Sequence, residues 1–263
     1  MLYCDHFYTM GKTHSVCEDY ALKGNKPIPF VVVCDGCSAS EHSDLGAKVL
    51  SLTTKHILEN TPEWPLSYNE FGQRLITRSL WVINEMQLRN CALDSTVMLA
   101  FLHENTIRVY IYGDGCLLFQ DNNDNIGFID ISFTHNAPFY LTYWPDKERQ
   151  EEYGNYAPKP LLITDSVNGT SGPMSYQTPL SFSFSLDKFH TIAIASDGAT
   201  QVINIDNGQK LPLFDVTQKL LAFDNCQGSF VNAHMEQLLD SYEQKGIFPA
   251  DDLSLGVFIN KPN

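Results

Sequence analysis

The sequence has few basic residues, no long apolar run and no regular cysteine pattern. Lysine and arginine together number 17, against 31 aspartate and glutamate residues, which gives a net charge of −14. A chain so poor in positive charge lacks the basic face that nucleic acid or an anionic membrane surface requires. No apolar stretch is long enough to span a bilayer. The sequence therefore predicts neither nucleic acid nor membrane as a partner, and it leaves the oligomeric state open.

The seven cysteines are odd in number and irregularly spaced, which argues against a disulfide framework. Cys34 and Cys37 form one C-x-x-C, but no second pair has the spacing of a zinc site. The first residues, MLYCDH, lack the basic start and apolar run of a secretory signal. These features favour free thiols and a cytoplasmic location.

The composition is that of a folded chain, with 43% hydrophobic and 18% charged residues among 263. The sequence shows neither internal repeat nor linker, so we predict a single domain over residues 1–263. Residues 121–185 are rich in Asn, Gly, Pro, Ser and Thr with interspersed aromatics, and we predict an irregular insertion there. Such an insertion is either a flap beside a binding site or a surface excursion with its own small apolar cluster.

Several short runs rich in β-branched and aromatic residues, each bounded by turn residues, predict strands. These runs are residues 29–34 (PFVVVC), 95–102 (STVMLAFL), 106–112 (TIRVYIY), 190–196 (HTIAIAS) and 253–259 (LSLGVFI). Helical spacing of apolar residues predicts helices from Asp44, from Asn69 and across 231–242. Strands and helices are grouped and do not strictly alternate, which favours an α+β fold with antiparallel sheets.

Four of these predicted strands have an aspartate at one end. The four are Asp35, Asp114, Asp197 and Asp251. Strand ends gather at one edge of a sandwich, and carboxylates brought together there repel one another unless they share a cation. Mg²⁺ and Mn²⁺ prefer such oxygen ligands, and Gly36 could add a backbone carbonyl. One Asp-Gly alone is more often a simple turn, but its recurrence at strand ends favours a metal site.

Short motifs, most of them acidic, follow one another along the chain in a characteristic order. They are Glu18-Asp19, VVVCDG at 31–36, DLGA at 44–47, Ser95-Thr96, Gly113-Asp114, IASDG at 194–198 and DDLS at 251–254. This order resembles that of the type 2C, metal-dependent Ser/Thr protein phosphatase family, and specifically a divergent microbial member. The resemblance extends from residue 11 to residue 259, and IASDG and DDLS are its sharpest matches.

The resemblance implies a fold and a metal pair. The fold would be two antiparallel β-sheets packed as a sandwich and flanked by helices, a four-layer αββα arrangement. Two Mn²⁺ or Mg²⁺ ions would lie at one end of it. Asp35 would bridge both ions and Gly36 would offer its carbonyl to one of them, while Asp197 and Asp251 would bind the other.

The resemblance also implies supporting residues and a reaction. Asp114 together with Asp197 would favour a third ion, and Glu18 and Asp19 would hold metal-bound waters. A hydroxide between the two ions would attack the phosphorus of a phosphoserine or phosphothreonine directly, which makes Asp35 a candidate catalytic residue. The implied partner is a phosphorylated protein substrate.

The chain departs from the family where phosphate would be held. An arginine usually precedes the Glu-Asp pair by four residues, but this position is His14, with Lys12 nearby. A neutral imidazole holds phosphate less well than a guanidinium does. His14 could contact phosphate or donate a proton to the leaving group, or it could be a loop histidine without a role. We take His14 as a candidate catalytic and phosphate-binding residue and Lys12 as a second candidate for phosphate.

Further departures concern turns near the aspartates. They are Cys37 where some members have histidine, Ser38-Ala39 in place of Gly-Gly, Asp94 in place of a glycine, and Gly115 in place of a serine. None of these changes removes an aspartate from the predicted metal site.

Three functions are compatible with this sequence. The first is an active phosphatase on phosphoserine and phosphothreonine proteins. The second is a pseudo-phosphatase that binds without turnover, and the third is a hydrolase of a small phosphoester. The complete set of four aspartates favours an enzyme over an inactive scaffold, and the charge of −14 argues against a nuclease.

Overall fold

The computed structural model describes residues 1–62 and 64–261. Its strands are, in chain order, β1 (Leu2–Thr9), β2 (Asp19–Gly24), β3 (Phe30–Gly36), β4 (Ser95–His103), β5 (Thr106–Tyr112), β6 (Gly115–Asp121), β7 (Ile126–Phe133), β8 (Leu161–Asp165), β9 (Gly169–Met174), β10 (Leu180–Ser185), β11 (Phe189–Ala195), β12 (Val202–Asn204), β13 (Gln209–Lys210), β14 (Ile247–Pro249) and β15 (Leu253–Asn260). Its α-helices are α1 (Ser43–Asn60), α2 (Tyr68–Glu85), α3 (Lys147–Tyr156), α4 (Leu213–Leu220) and α5 (Phe230–Glu243).

Two large antiparallel sheets form the framework. One has the strand order β1-β15-β11-β6-β7-β8-β9, and the other has the order β10-β5-β4-β3-β2. A small third sheet has the order β13-β12-β14. Within the described residues, no helix is both long and apolar enough to cross a membrane.

The two large sheets share one apolar layer between them. In β3, Val31 and Val33 face this layer, where they join Ile192 and Ile194 of β11. The intervening Val32 points to the opposite side, because successive side chains of a strand alternate between its two faces. Since β3 is buried on both faces, its sequence is a continuous apolar run.

The outer face of each sheet is covered by helices. Val32 and Phe101 of the five-stranded sheet pack with Leu50 of α1 and Phe71 of α2. On the other side, a separate cluster joins the outer face of the seven-stranded sheet to α4 and α5. The layers therefore run helix, sheet, sheet, helix, and the predicted α+β sandwich is confirmed.

The predicted strands and helices are found at their predicted places. Each apolar run lies within or across a strand of the core, and α2 begins with a capping box in which Ser67 and Glu70 bond each other's backbone amides. The stretch 121–185 was predicted to be an irregular insertion, but the structure shows regular elements there. It contains strands β7 to β10 and helix α3. Strands β7 and β9 are poor in continuous apolar sequence because one face of β7 is only partly buried and β9 is exposed over most of its length.

Candidate metal centre

A small cleft at one end of the sandwich is lined by five aspartates, four of which were predicted as metal ligands. Asp35 lies near the end of β3, Asp114 lies between β5 and β6, Asp197 follows β11, and Asp251 precedes β15. All four line a single cavity of about 120 Å³. Strand ends that are far apart in the sequence thus bring the four predicted residues together, as expected for this edge of a sandwich.

The cleft concentrates negative charge. Burial raises the pKa of the Asp35 carboxyl well above its usual range, and repulsion from Asp19, Asp197 and Asp114 raises it further. Burial likewise raises the pKa of Asp197, with repulsion from Asp114 and Asp251 added to it. In the part of the chain that the structure describes, neither lysine nor arginine lines this cavity. Crowded carboxylates with neither lysine nor arginine beside them are the hard oxygen donors that a divalent cation would stabilise.

The turn after β3 leaves no room for a side chain. A Cβ atom added to Gly36 would lie 2.8 Å from the Ser43 carbonyl oxygen, at the start of α1. The Gly36 amide donates to the Glu18 carbonyl at 3.2 Å. Gly36 lines the cleft beside Asp35, where its bare backbone is available to a ligand.

Asp114 is held by the strand beside it. The Thr96 hydroxyl donates to Asp114 Oδ1 at 2.6 Å, and the Asp114 amide lies 3.3 Å from the same hydroxyl oxygen. Gly115, which follows, has a φ of +121° that side chains rarely adopt. This backbone accounts for glycine where the related family has serine. Burial raises the pKa of Asp114 as well.

Behind Asp35 lies a second acidic layer. Asp19 pairs with Asp35 across the β2–β3 ladder and is almost fully buried. The Ser196 hydroxyl donates to Asp19 Oδ2 at 2.7 Å, but the buried Oδ1 atom has no hydrogen-bond partner among the described residues. Burial raises the pKa of Asp19. Glu18 is oriented by Ser43, whose hydroxyl donates to Glu18 Oε1 at 2.6 Å.

The sequence analysis missed Asp252. This residue is only 3% exposed, and its carboxylate accepts hydrogen bonds from the Gly11 amide at 2.7 Å and the Glu18 amide at 2.5 Å. It therefore joins the β1–β2 loop to the start of β15. One carboxylate oxygen of Asp252, one of Glu18 and a ring nitrogen of His14 lie within 4.8 Å of one another, close enough to share an ion. Because the hydrogen-bond partners of Asp252 are backbone amides, no pattern of side chains in the sequence indicates these contacts.

The structure places His14 in the cleft and Lys12 outside it. His14 Nε2 lies 3.2 Å from Asp251 Oδ1, and Nδ1 lies 3.2 Å from Asp252 Oδ1 without hydrogen-bond geometry. Burial lowers the pKa of His14, but the carboxylates of Asp252 and Asp251 outweigh it and raise the pKa overall. The exposed Lys12 lines a different groove, against α5 and β14.

One wall of the cleft comes from the connection between β7 and β8. We call residues 134–156 the wall segment, and its residues Asn136, Pro138 and Tyr140 line the cleft. Cys37, in the loop after β3, also lines the cleft, close to Tyr140. Burial raises the pKa of Tyr140, and the nearby Cys37 thiol adds to the shift. The sequence signal for this wall was the composition of residues 121–185, for which a flap beside a binding site was one of two interpretations.

Comparisons with known proteins agree on one family. Residues 10–240 match the model of the family described as protein phosphatase 2C. The structure of the serine/threonine phosphatase Stp1 from Staphylococcus aureus is similar over 100% of this chain and 96% of that one, with 16% identity and a TM-score of 0.61.

Two further structures are of serine/threonine phosphatases named PstP. The Mycobacterium tuberculosis serine/threonine phosphatase PstP/Ppp matches over 99% of both chains, with 12% identity and a TM-score of 0.57. The catalytic domain of PstP in complex with two manganese ions matches over 98% of this chain and 97% of that one, with 10% identity and a TM-score of 0.53. At these identities the structural likeness shows the fold alone. The comparison with curated protein sequences found no significant match.

Proposed function

The chain belongs to the protein phosphatase 2C family, and from this premise we propose that it hydrolyses phosphoserine and phosphothreonine in proteins with the help of divalent metal ions. One observation carries the proposal: four aspartates from four strand ends line one cleft of about 120 Å³. A cluster of carboxylates is unfavourable unless a cation is present to neutralise it.

The residues of the cleft fit a hard divalent cation. The donors are carboxylate oxygens and the backbone of Gly36, which suit Mn²⁺ or Mg²⁺ better than a metal that prefers thiolates. The buried Asp19 Oδ1 atom, which has no partner among the described residues, is free to accept a hydrogen bond from a metal-bound water. The electrostatics of the cleft and the chemistry of its donor atoms therefore both support a divalent metal ion.

In the proposed site, Asp35 would bridge two ions. The Gly36 carbonyl would add to one, Asp197 and Asp251 would bind the other, and Asp114 would help to hold a third. Glu18 and Asp19 would orient bound water. When bound, such ions lower the pKa of water and stabilise negative charge on a phosphoryl group.

His14 is the proposed phosphate-side residue. It lies at the edge of the cleft between Asp251 and Asp252, whose negative charge favours its protonated form. A protonated imidazole there would donate a hydrogen bond to a phosphate oxygen, or a proton to the leaving serine or threonine oxygen. Lys12 lines another groove, so our proposal gives it no contact with phosphate.

The proposal is tested by hydrolysis of p-nitrophenyl phosphate and of a phosphothreonine peptide, each with Mn²⁺, with Mg²⁺ and with EDTA. We expect turnover of both substrates with metal and none with EDTA. Turnover of p-nitrophenyl phosphate alone would favour a small phosphoester as substrate. A folded protein that binds Mn²⁺ but turns over neither substrate would favour a pseudo-phosphatase.

A further inference from the structure

A buried carboxylate outside the cleft holds together two of the segments that form it. Asp94, directly before β4, is only 5% exposed. Arg149 Nη1 donates to Asp94 Oδ1 at 3.2 Å, and Arg149 Nη2 donates to Oδ2 at 2.9 Å. The Thr142 hydroxyl donates to Oδ1 at 2.6 Å and the Ser40 hydroxyl donates to Oδ2 at 3.2 Å. Both carboxylate oxygens thus accept two hydrogen bonds each.

The partners of Asp94 belong to two different segments that both contribute residues to the cleft. Ser40 lies in the loop after β3, and the Cys37 amide of the same loop donates to the Asp94 carbonyl at 2.9 Å. The other two partners belong to the wall segment. Cys37 of the loop and Tyr140 of the wall segment both line the cleft and lie close to each other. Asp94 therefore ties the loop after β3 to the wall segment, close to the place where both meet the cleft.

The chemistry of the pair favours a fixed geometry. A buried carboxylate is costly unless all of its hydrogen-bonding capacity is used, and a two-pronged contact with arginine fixes orientation as well as distance. The Arg149 guanidinium also lies over the Tyr143 ring, 4.0 Å from its centroid. Lysine could replace the charge of Arg149 but not its two parallel donors.

We propose that Asp94 and Arg149 are positioning residues, and that their pairing sets how far the wall segment stands from the loop after β3 and so the width of the entrance to the candidate metal centre. The proposal rests on the proposed function for its effect on substrate. Neither residue lines the cleft, so they act on it through Cys37 of the loop after β3 and Tyr140 of the wall segment. A substrate bulkier than a free phosphoester would be the most sensitive to this width.

The test uses the full chain in four variants. Arg149→Ala breaks the pair, and Arg149→Lys keeps the charge without the two parallel donors. The double variant Asp94→Asn/Arg149→Ala breaks the pair without leaving a buried unpaired charge. Arg89→Ala is the matched control, because Arg89 contacts Glu41 at 3.4 Å on the surface, where both side chains are more than half exposed.

The first readout is amide hydrogen exchange, which needs no turnover. The amides of Tyr143, Trp144 and Asp146 are hydrogen-bonded within the wall segment and report on its order. We expect exchange there to rise by about tenfold in Arg149→Ala, the effect of one lost charged hydrogen-bond pair. We expect less in Arg149→Lys and none in Arg89→Ala. Unchanged exchange of the wall segment in Arg149→Ala would overturn the proposal.

The second readout separates positioning from simple stability. We expect the Mn²⁺ affinity, measured by calorimetry, to stay within about twofold of that of the unaltered protein, because no candidate metal ligand is changed. For comparison, a tenfold change in affinity corresponds to about 1.4 kcal/mol. We expect KM for a phosphothreonine peptide to rise more than KM for p-nitrophenyl phosphate. The double variant should regain thermal stability but keep the fast exchange and the raised KM. If the double variant also regained the slow exchange and the KM of the unaltered protein, the pair would serve only to neutralise a buried charge, and the proposal would be wrong.

The two proposals fail in different ways. Absence of turnover in the unaltered protein would contradict the proposed phosphatase function, while the exchange of the wall segment would still decide the positioning role. Turnover by the unaltered protein, together with unchanged exchange of the wall segment in Arg149→Ala, would support the phosphatase function and contradict the positioning role.

Discussion

Asp251 and Asp252 are neighbours in sequence, yet only Asp252 is buried and bonded to backbone amides. Asp251 is partly exposed and lies in the cleft with Asp35 and Asp197. His14 lies 3.2 Å from a carboxylate oxygen of each. Both residues line the cleft, but Asp251 is the more accessible of the two, while the carboxylate of Asp252 also holds the loop before β2 in place.

This division predicts opposite effects for two matched substitutions. Asp252→Asn should lower the free energy of unfolding by about 1–3 kcal/mol, because an amide oxygen cannot replace both carboxylate oxygens that accept buried backbone N–H groups. Asp251→Asn should cost little stability but weaken Mn²⁺ binding. Chemical denaturation and calorimetry measure the two effects. Equal effects of the two substitutions on both measurements would contradict the division.

Asp197→Asn should abolish metal-dependent hydrolysis while the fold stays intact, because it removes a ligand charge with little change of volume. The same substitution removes one of the mutually repelling carboxylates. Without metal, the variant should therefore unfold at a higher temperature than the unaltered protein, because the repulsion from Asp114 and Asp251 is relieved. Activity assays, circular dichroism and thermal unfolding in EDTA test this. Retention of most turnover would remove Asp197 from the metal site.

Metal should stabilise the folded chain measurably. A ligand that binds only the folded state at 100 times its Kd adds about 2.7 kcal/mol. Addition of Mn²⁺ to the EDTA-treated protein should therefore raise the midpoint of thermal unfolding, and Asp35→Asn should remove most of this rise. An equal rise in Asp35→Asn would mean that Mn²⁺ binds elsewhere.

His14→Ala should raise KM for a phosphothreonine peptide by more than it weakens Mn²⁺ binding, because His14 is proposed to contact phosphate and not metal. His56→Ala is a suitable control, since His56 is an exposed residue of α1. Steady-state kinetics and calorimetry measure the two quantities. Losses of similar size in both would indicate that His14 holds the site together.

Gly115→Ser restores the residue usual in the family but should destabilise this chain by about 2 kcal/mol. The backbone of Gly115 has a φ of +121°, and an added Cβ would lie 2.8 Å from the Ala195 carbonyl oxygen. Gly169→Ala is the control, because Gly169 has a φ of +82° with no atom within 4 Å of an added Cβ. Its cost should be only about 1 kcal/mol of backbone strain. Urea denaturation of both variants compares them, and a smaller loss in Gly115→Ser would contradict the crowding argument.

Much of the framework could be predicted from local sequence. The run at 29–34 predicted β3 because a strand buried on both faces must be continuously apolar. Strand β9 could not be predicted in this way, since it is exposed over most of its length and has no apolar pattern. The same difference explains why 121–185 looked irregular although it contains strands of both large sheets.

The candidate site divides along similar lines. Asp35 and Asp197 were predicted because each follows an apolar strand, and the end of a strand shows in the sequence. Asp94 and Asp252 were not predicted as structural residues, because their partners are distant in the chain or belong to the backbone. Such contacts depend on how the loops meet, which no local pattern records. The metal-binding role of the four aspartates stays a prediction.

The strand order β1-β15-β11 has a consequence for the synthesis of this protein. Of the described strands, translation yields β1 first and β15 last, yet β1 is joined to β11 only through β15. Asp251, just before β15, is also the last to be synthesised of the four aspartates predicted to bind metal. A nonsense mutation shortly before β15 would therefore remove both the central strand that joins β1 to its sheet and the fourth carboxylate. We expect such a truncated product to be a target for proteolysis rather than a partly active enzyme.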